Sequence, residues 1–187
     1  MKTTKSKIFA SLTAIAITFS AGAALAENPM VGGAPMYASK NIIENAVNSK
    51  DHTTLVAAVK AAGLVETLSG EGPFTVFAPT NEAFAALPDG TVETLLKPEN
   101  KDQLTKILTC HVVATKAMAS DITKMIDDDG GMHTVPTVGG CEFTVMYEGD
   151  KVMIKDGQGN IANVTIGDVE QSNGVIHVID AVLLPAS

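Results

Sequence analysis

Val175–Leu184, with the sequence Val-Ile-His-Val-Ile-Asp-Ala-Val-Leu-Leu (VIHVIDAVLL), is the stretch that decides the fold. It is apolar at both odd and even positions, and its polar members are His177 and Asp180. A strand with one face in water alternates apolar and polar residues, whereas a strand covered on both faces is apolar throughout. The sequence therefore predicts a central, buried strand here.

The region before this strand, from about residue 134, has a period of two. Cys141, Phe143, Val145 and Tyr147 alternate with Glu142, Thr144, Met146 and Glu148, which is typical of strands with one buried face. Turn-forming residues interrupt the pattern at 148–150 (Glu-Gly-Asp) and at 156–160 (Asp-Gly-Gln-Gly-Asn). These features predict a meander of antiparallel strands.

The first half of the chain has the spacing of short helices. Gly63 is placed to end one helical pattern, and Thr80 is placed to cap another. The strand Phe74–Pro79 interrupts the helices and ends at its proline. Helices are predicted at about 39–47, with Ser39 as the cap, and at about 53–62, 81–87, 91–96 and 99–109. Helices followed by antiparallel strands indicate an α+β domain.

The first 26 residues have the order of a secretory signal peptide. Three lysines precede the uncharged run Ile8–Ala24, and Ala24-Leu25-Ala26 forms a small-x-small cleavage site. A retained membrane anchor is the alternative, but the run is short for a span. The sequence thus predicts a signal peptide at 1–26, a flexible tail at 27–38, rich in proline and glycine, and a single domain at 39–185.

Acidic residues dominate the charge of the chain. It has 21 acids, 13 lysines and no arginine, so its net charge is −8. Cleavage after Ala26 would remove three lysines and leave 10 against the same 21 acids, a net charge of −11. Such a surface repels nucleic acid and anionic lipid. We therefore expect no nucleic-acid partner, and no membrane span after cleavage.

Cys110 and His111, within Leu108–Val113 (LTCHVV), raise the question of catalysis. The β-branched residues after them predict a strand from residue 110, and neighbouring strand residues point to opposite faces. The two side chains could not then act as nucleophile and base for each other. The four histidines also lack the spacing of a metal site. We therefore expect no enzymatic activity, no metal and no cofactor.

The two cysteines are expected to form a disulfide. Cys141 lies on the apolar phase of its predicted strand, and export would place both thiols in an oxidising compartment. A Cys110–Cys141 bond is therefore favoured. Two separate buried thiols are the alternative, because sequence alone does not show that the sulfur atoms meet.

Three segments, in their order and spacing, resemble the signature segments of the fasciclin (FAS1) domain family. They are Phe74–Pro88 (FTVFAPTNEAFAALP), Leu108–Val113 (LTCHVV) and Asn173–Pro185 (NGVIHVIDAVLLP). The resemblance covers about residues 39–185 and is to small, secreted, one-domain bacterial members. It implies a β-wedge of two sheets with several short helices packed at one side, and it implies no enzymatic activity.

The resemblance also suggests roles for a few residues. His111 matches a histidine of the family and is expected to support the fold, while Cys110 replaces the tyrosine that usually precedes it. Asp168 and Val169 occupy the place of an Asp-Ile adhesion motif and are the expected binding residues. The alternative for Asp168 is a helix or turn cap after Gly167.

These features predict a secreted or periplasmic binding module. Its expected partners are extracellular matrix, polysaccharide or a cell-surface protein, and it is expected to act as a monomer. A carrier of an apolar ligand such as a carotenoid is the alternative, since methionine lines adaptable apolar surfaces. The methionines in question are Met118, Met125, Met132, Met146 and Met153; ordinary core packing would also account for them.

Overall fold

The structure, a computed structural model, describes residues 28–149 and 151–186. Its helices are α1 (Ile42–Ala46), α2 (Thr53–Ala62), α3 (Val65–Ser69), α4 (Asn81–Ala85), α5 (Thr91–Leu95), α6 (Lys101–Cys110) and α7 (Ala119–Asp128). Its strands are β1 (Met30–Val31), β2 (Ala34–Pro35), β3 (Phe74–Pro79), β4 (Val112–Val113), β5 (Met132–Pro136), β6 (Glu142–Glu148), β7 (Lys151–Lys155), β8 (Ile161–Gln171) and β9 (Gly174–Ile179). The predicted signal peptide, residues 1–26, lies outside the described residues.

The central position of β9 confirms the prediction made for the apolar stretch. The strands run in the order β4-β3-β9-β8-β7-β6-β5, and every residue of β9 is buried. It pairs in parallel with β3 and antiparallel with β8. The strand ends at Ile179 rather than near residue 184, because its partner β3 ends at the paired Pro79.

The strand β8 joins two sheets and produces the wedge. Its first residues, Ile161–Asn163, pair with β7, whereas the residues from Val164 onward pair with β9. Two register irregularities, at Val164/Ile166 and at Ile166/Val169, bend it on the way. The predicted α+β wedge of two sheets is therefore observed, and β5–β8 form the predicted antiparallel meander.

Two hydrophobic clusters lie on opposite faces of β3 and β9. Val76 and Val178 pack in a first core beneath helices α1 to α6, while Phe77 and Ile179 pack in a second core with α7 and the meander. Successive strand residues point to opposite faces. The apolar character of β9 in both phases therefore reflects cover by helices on one face and by the second sheet on the other.

The short helices begin and end at residues with specific caps. Thr80 accepts a hydrogen bond from the backbone N–H of Ala83 (3.3 Å) at the start of α4, as predicted. Gly63 ends α2 with a positive φ of 75°. The prediction of Ser39 as the first cap was wrong. Asn41 caps α1 instead, because its side chain and that of Glu44 each accept the other's backbone N–H.

Residues 28–38 are packed against the domain, so the prediction of a flexible tail was wrong. The strands β1 and β2 form a hairpin whose Val31 and Met36 are 4% and 2% exposed and belong to the first core. The N–H of Lys50 donates to the carbonyl of Gly32 (3.1 Å) and ties the hairpin down. Burial of these two side chains outweighs the turn-rich composition of the segment.

No helix within the described residues is long and apolar enough to cross a membrane.

Candidate binding surface

Cys110 and His111 do not lie on one strand, so the interpretation of residues 110–113 as a strand was wrong at its start. Cys110 is the last residue of α6 and His111 is its C-cap, with β4 beginning at Val112. Leu104, Ile107 and Leu108 bury one face of α6 in the first core, and Cys110, about one turn beyond Ile107, is buried in the second core. The disulfide that the sequence favoured is present. It joins Cys110 to Cys141, and their Cα atoms are 5.4 Å apart.

The imidazole of His111 is held in its neutral form by two backbone groups. The N–H of Leu183 can only donate, so it donates to Nε2 (2.9 Å), and Nδ1–H therefore donates to the carbonyl of Ile107 (2.8 Å). The side chain is 2% exposed, and burial lowers its pKa from 6.5 to about 4. His111 thus links α6 to the C-terminal segment and has no nitrogen available for a substrate.

His177 is held in the same way with the opposite tautomer. The backbone N–H of Asp168 donates to Nδ1 (3.3 Å), so Nε2–H donates to the carbonyl of Ala117 (2.9 Å). Its ring stacks on Phe77 with a centroid distance of 5.8 Å. Burial lowers the pKa of His177. This imidazole therefore connects β8 and β9 to the segment before α7 and has a structural role.

A hydroxyl–imidazole contact that the sequence did not reveal occurs at Ser49 and His52. Ser49 Oγ lies 2.9 Å from His52 Nδ1, and both residues are buried, at 2% and 3% exposure. The spacing of three residues across a helical turn was the only available signal. Nucleophilic catalysis requires that a substrate reach the hydroxyl. The contact lies in the core beneath the N-terminal hairpin, together with Val31 and Met36, so it stabilises the fold.

Within 28–149 and 151–186, no group of three histidine, cysteine, aspartate or glutamate side chains converges as a metal site would require.

Val169 is 0% exposed, so the prediction that it contributes to a binding surface was wrong. It belongs to the first core and pairs with Ile176 of β9. The register irregularity just before it sets the phase in which Val169 points inward and Asp168 points outward. A partner could therefore contact Asp168 but not its neighbour.

Asp168 is exposed and also anchors a helix. Its backbone has a positive φ of 55°, and its Oδ1 accepts the N–H of Ala119 (2.6 Å) in the first turn of α7. A carboxylate is favourable there because helix N-termini carry partial positive charge and unpaired N–H groups. The arrangement agrees with the capping alternative, and it leaves the carboxylate at the protein surface.

The outer side of β8 is polar and leads into a groove. Asp168, Glu170 and Ser172 are exposed at alternate positions, and Lys116 Nζ lies 2.8 Å from Glu170 Oε1. Beyond Ser172 an open groove of about 520 Å³ lies between residues 69–73 and 171–174. Sequence reasoning missed this groove, because its two walls are about 100 residues apart in the chain.

The described apolar cavities are small. One of about 140 Å³ contains Met125 in its wall, and two in the first core have about 30 Å³ each. Pockets for drug-sized ligands have roughly 300–1,000 Å³. The other methionines of the second half, Met132 in particular at 61% exposure, are not core residues. None of these observations favours a carotenoid carrier.

Comparison with known proteins identifies relatives of the chain. A family model described as "Fasciclin domain" matches residues 50–185. Protein sll1483 of Synechocystis sp. is 50% identical over 159 residues, which are 85% of this chain and 81% of that protein. The cell surface glycolipoprotein MPB83 of Mycobacterium bovis is 36% identical over 166 residues, which are 86% of this chain and 68% of that protein.

A solved structure has the same fold. It is a FAS1 domain pair from the insect cell adhesion molecule Fasciclin I, and it matches with a TM-score of 0.70 at 21% identity. The match covers 78% of this chain and 51% of the other, so this chain spans about half of the length of that domain pair.

Proposed function

Since the chain belongs to the fasciclin (FAS1) domain family, we propose that it is a secreted, non-catalytic binding module that attaches to cell-envelope or extracellular material. Two related proteins are named for the cell surface or for adhesion, the glycolipoprotein MPB83 and Fasciclin I. The present chain is similar to both, and this similarity supports a role in contact with other macromolecules.

The observation that supports the non-catalytic part of the proposal is that the cysteines and two buried histidines all make structural contacts. Both cysteines form a disulfide, and His111 and His177 have each ring nitrogen bound to a backbone group. Nucleophilic or acid–base catalysis needs such a group free to exchange a proton with a substrate. His133 is partly exposed and its Nδ1 pairs with Asp129 Oδ2 (2.6 Å), and no free cysteine is available to it as a nucleophile. Together these contacts support recognition by exposed polar groups as the function of the surface.

The proposed contact surface is the outer side of β8, with Asp168 as one contact. One carboxylate oxygen of Asp168 caps α7, and the side chain is exposed. Asp168→Asn keeps an oxygen that can accept the N–H of Ala119, and asparagine tolerates a positive φ. This variant removes the charge while retaining the cap, whereas Asp168→Ala removes both.

A pull-down of the purified protein against native envelope and extracellular material tests the proposal. We expect the wild-type protein to retain material, and Asp168→Asn to weaken retention about tenfold, the effect of losing one charged contact. Its melting temperature should stay close to that of the wild type. Glu93→Gln, an exposed carboxylate change on α5, is the matched control. Absence of any retained material in the wild type would refute the proposed function.

Secretion is tested separately by the mass of the protein recovered from cells. Cleavage after Ala26 would leave a chain that begins at Glu27. A recovered protein that still contains residues 1–26 would contradict the secreted part of the proposal.

A further inference from the structure

The groove at the end of β8 has rigid walls. The side chain of Asn173 holds one wall to the other, because its Nδ2 donates to the carbonyls of Leu68 and Gly70 (2.9 Å each). Its Oδ1 accepts the N–H of Ile42 (3.0 Å), and its backbone carbonyl accepts the N–H of Phe74 (3.0 Å). One residue thus ties α1, α3 and β3 together before any ligand arrives.

Two glycines allow the walls to touch. A Cβ atom on Gly72 would overlap the carbonyl oxygen of Asn173, and one on Gly174 would overlap the carbonyl oxygen of Phe74. Any larger residue at either position would push the walls apart. The shape of the groove is therefore set by close backbone packing, and a ligand would lose little free energy in ordering it.

The side chains around the groove offer hydrogen bonds of both kinds. Ser69 and Ser172 have hydroxyl groups that donate and accept, and the Lys116 ammonium donates. Glu71 is exposed, takes part in neither salt bridge of the described residues, and can accept two hydrogen bonds at once. Pro73 adds a small apolar surface beside them.

We propose that this groove binds a neutral, hydroxyl-rich glycan chain. Vicinal hydroxyls of a sugar can donate as a pair to the Glu71 carboxylate, while its other oxygens accept from Lys116 and the serines. The volume of about 520 Å³ lies within the range of roughly 300–1,000 Å³ found for pockets that hold small ligands. This proposal rests on the proposed function, of which it names the ligand class and the site.

The charge of the protein selects neutral rather than anionic glycans. The net charge is −8 with no arginine in the chain, and the ammonium of Lys116 is already paired with Glu170 at 2.8 Å. A uronic-acid or sulfated chain would meet the carboxylate of Glu71. The charge of Lys116 is already offset by Glu170, although its remaining N–H groups can still donate to a neutral sugar.

An array of neutral, uronic-acid and sulfated glycans, probed with protein purified from its native source, tests the proposal. Binding should be confined to neutral glycans. Ser172→Trp, which fills the groove from an exposed position, should weaken it at least tenfold, and Glu71→Gln should weaken it several-fold. Thr94→Trp places the same side chain in a separate surface groove of about 300 Å³ beside α5 and should leave binding unchanged.

The same preparations are also tested against native envelope material. Retention of that material without binding to any neutral glycan would refute the glycan groove and leave the proposed function standing. Binding only to uronic-acid or sulfated glycans, or equal binding by wild type and Ser172→Trp, would also refute it. Should Ser172→Trp not fold, as judged by its melting curve, unchanged neutral-glycan binding by Glu71→Gln would overturn the proposal.

Discussion

Lowering the pH from 8 to 5 is expected to remove about 2 kcal/mol of unfolding free energy through His111 alone. The pKa of His111 is about 4 in the folded protein, against 6.5 for the ordinary side chain. The unfolded chain therefore takes up the proton first. The stabilisation is complete above pH 6.5 and is lost as the pH falls from 6.5 to about 4, where the total loss reaches about 3 kcal/mol.

The cause is visible in the hydrogen bonds of the ring. Nε2 accepts the N–H of Leu183 at 2.9 Å, so a proton on Nε2 would face another donor in a site that is 2% exposed. The pKa of His177 is also lowered by burial, and its Nδ1 likewise accepts a backbone N–H. Its contribution has the same sign, so the loss for the whole protein should exceed that of His111.

Urea unfolding at pH 8, 7, 6 and 5, with the disulfide intact, measures the effect. The variant His111→Gln should be less stable at pH 8, because it disturbs both hydrogen bonds. Its unfolding free energy should fall by about 2 kcal/mol less than that of the wild type between pH 8 and pH 5. Equal pH slopes for the two proteins, or an NMR titration that gives His111 a folded pKa at or above 6.5, would refute the reasoning.

Three further predictions concern the covalent and packing constraints. Replacing Cys110 and Cys141 by alanine opens a loop with a sequence separation of 31 and should cost about 3.7 kcal/mol; the same urea midpoint with and without reductant would contradict this. Asp156→Ala removes a buried carboxylate that accepts four hydrogen bonds, one of them from the C-terminal segment, and should cost at least about 3 kcal/mol in urea unfolding. A cost below about 1 kcal/mol would show that the carboxylate is dispensable. Gly72→Ala should lower the melting temperature much more than Gly167→Ala, because a Cβ at Gly72 would overlap a carbonyl oxygen, whereas one at Gly167 meets its neighbours at 3.5 Å or more and neither glycine has a positive φ; similar melting temperatures would argue against close contact of the groove walls.

The sequence predicted the structure best where buried and exposed residues alternate regularly within one strand or helix. The alternation from Cys141 along β6 predicted inward-facing residues, and Cys141, Phe143 and Val145 are buried, whereas Tyr147, near the end of the strand, is 41% exposed. The cap at Thr80 and the end of α2 at Gly63 were also visible, because capping depends on residues within one helical turn.

The same reasoning failed where a distant contact changed the local pattern. Val169 was expected at the surface because it occupies the place of a family adhesion motif, but a register irregularity in β8 turns it inward. The segment 28–38 has the composition of a loop, yet Val31 and Met36 are buried against the first core. The hairpin and α1 both lie before residue 50, where the match to the family begins.

The sequence by itself determined the α+β class and the position of the central strand, because both depend on residue types at short, regular spacing. The family was indicated by the resemblance of three segments to its signature segments. Only the tertiary structure decided which groups meet. Asn173 bonds to the backbone of Ile42, 131 residues away, and His111 to that of Leu183, 72 residues away. The groove and the neutral histidines arise from such contacts, and no local period encodes them, since their partners are mostly backbone groups that every residue type shares.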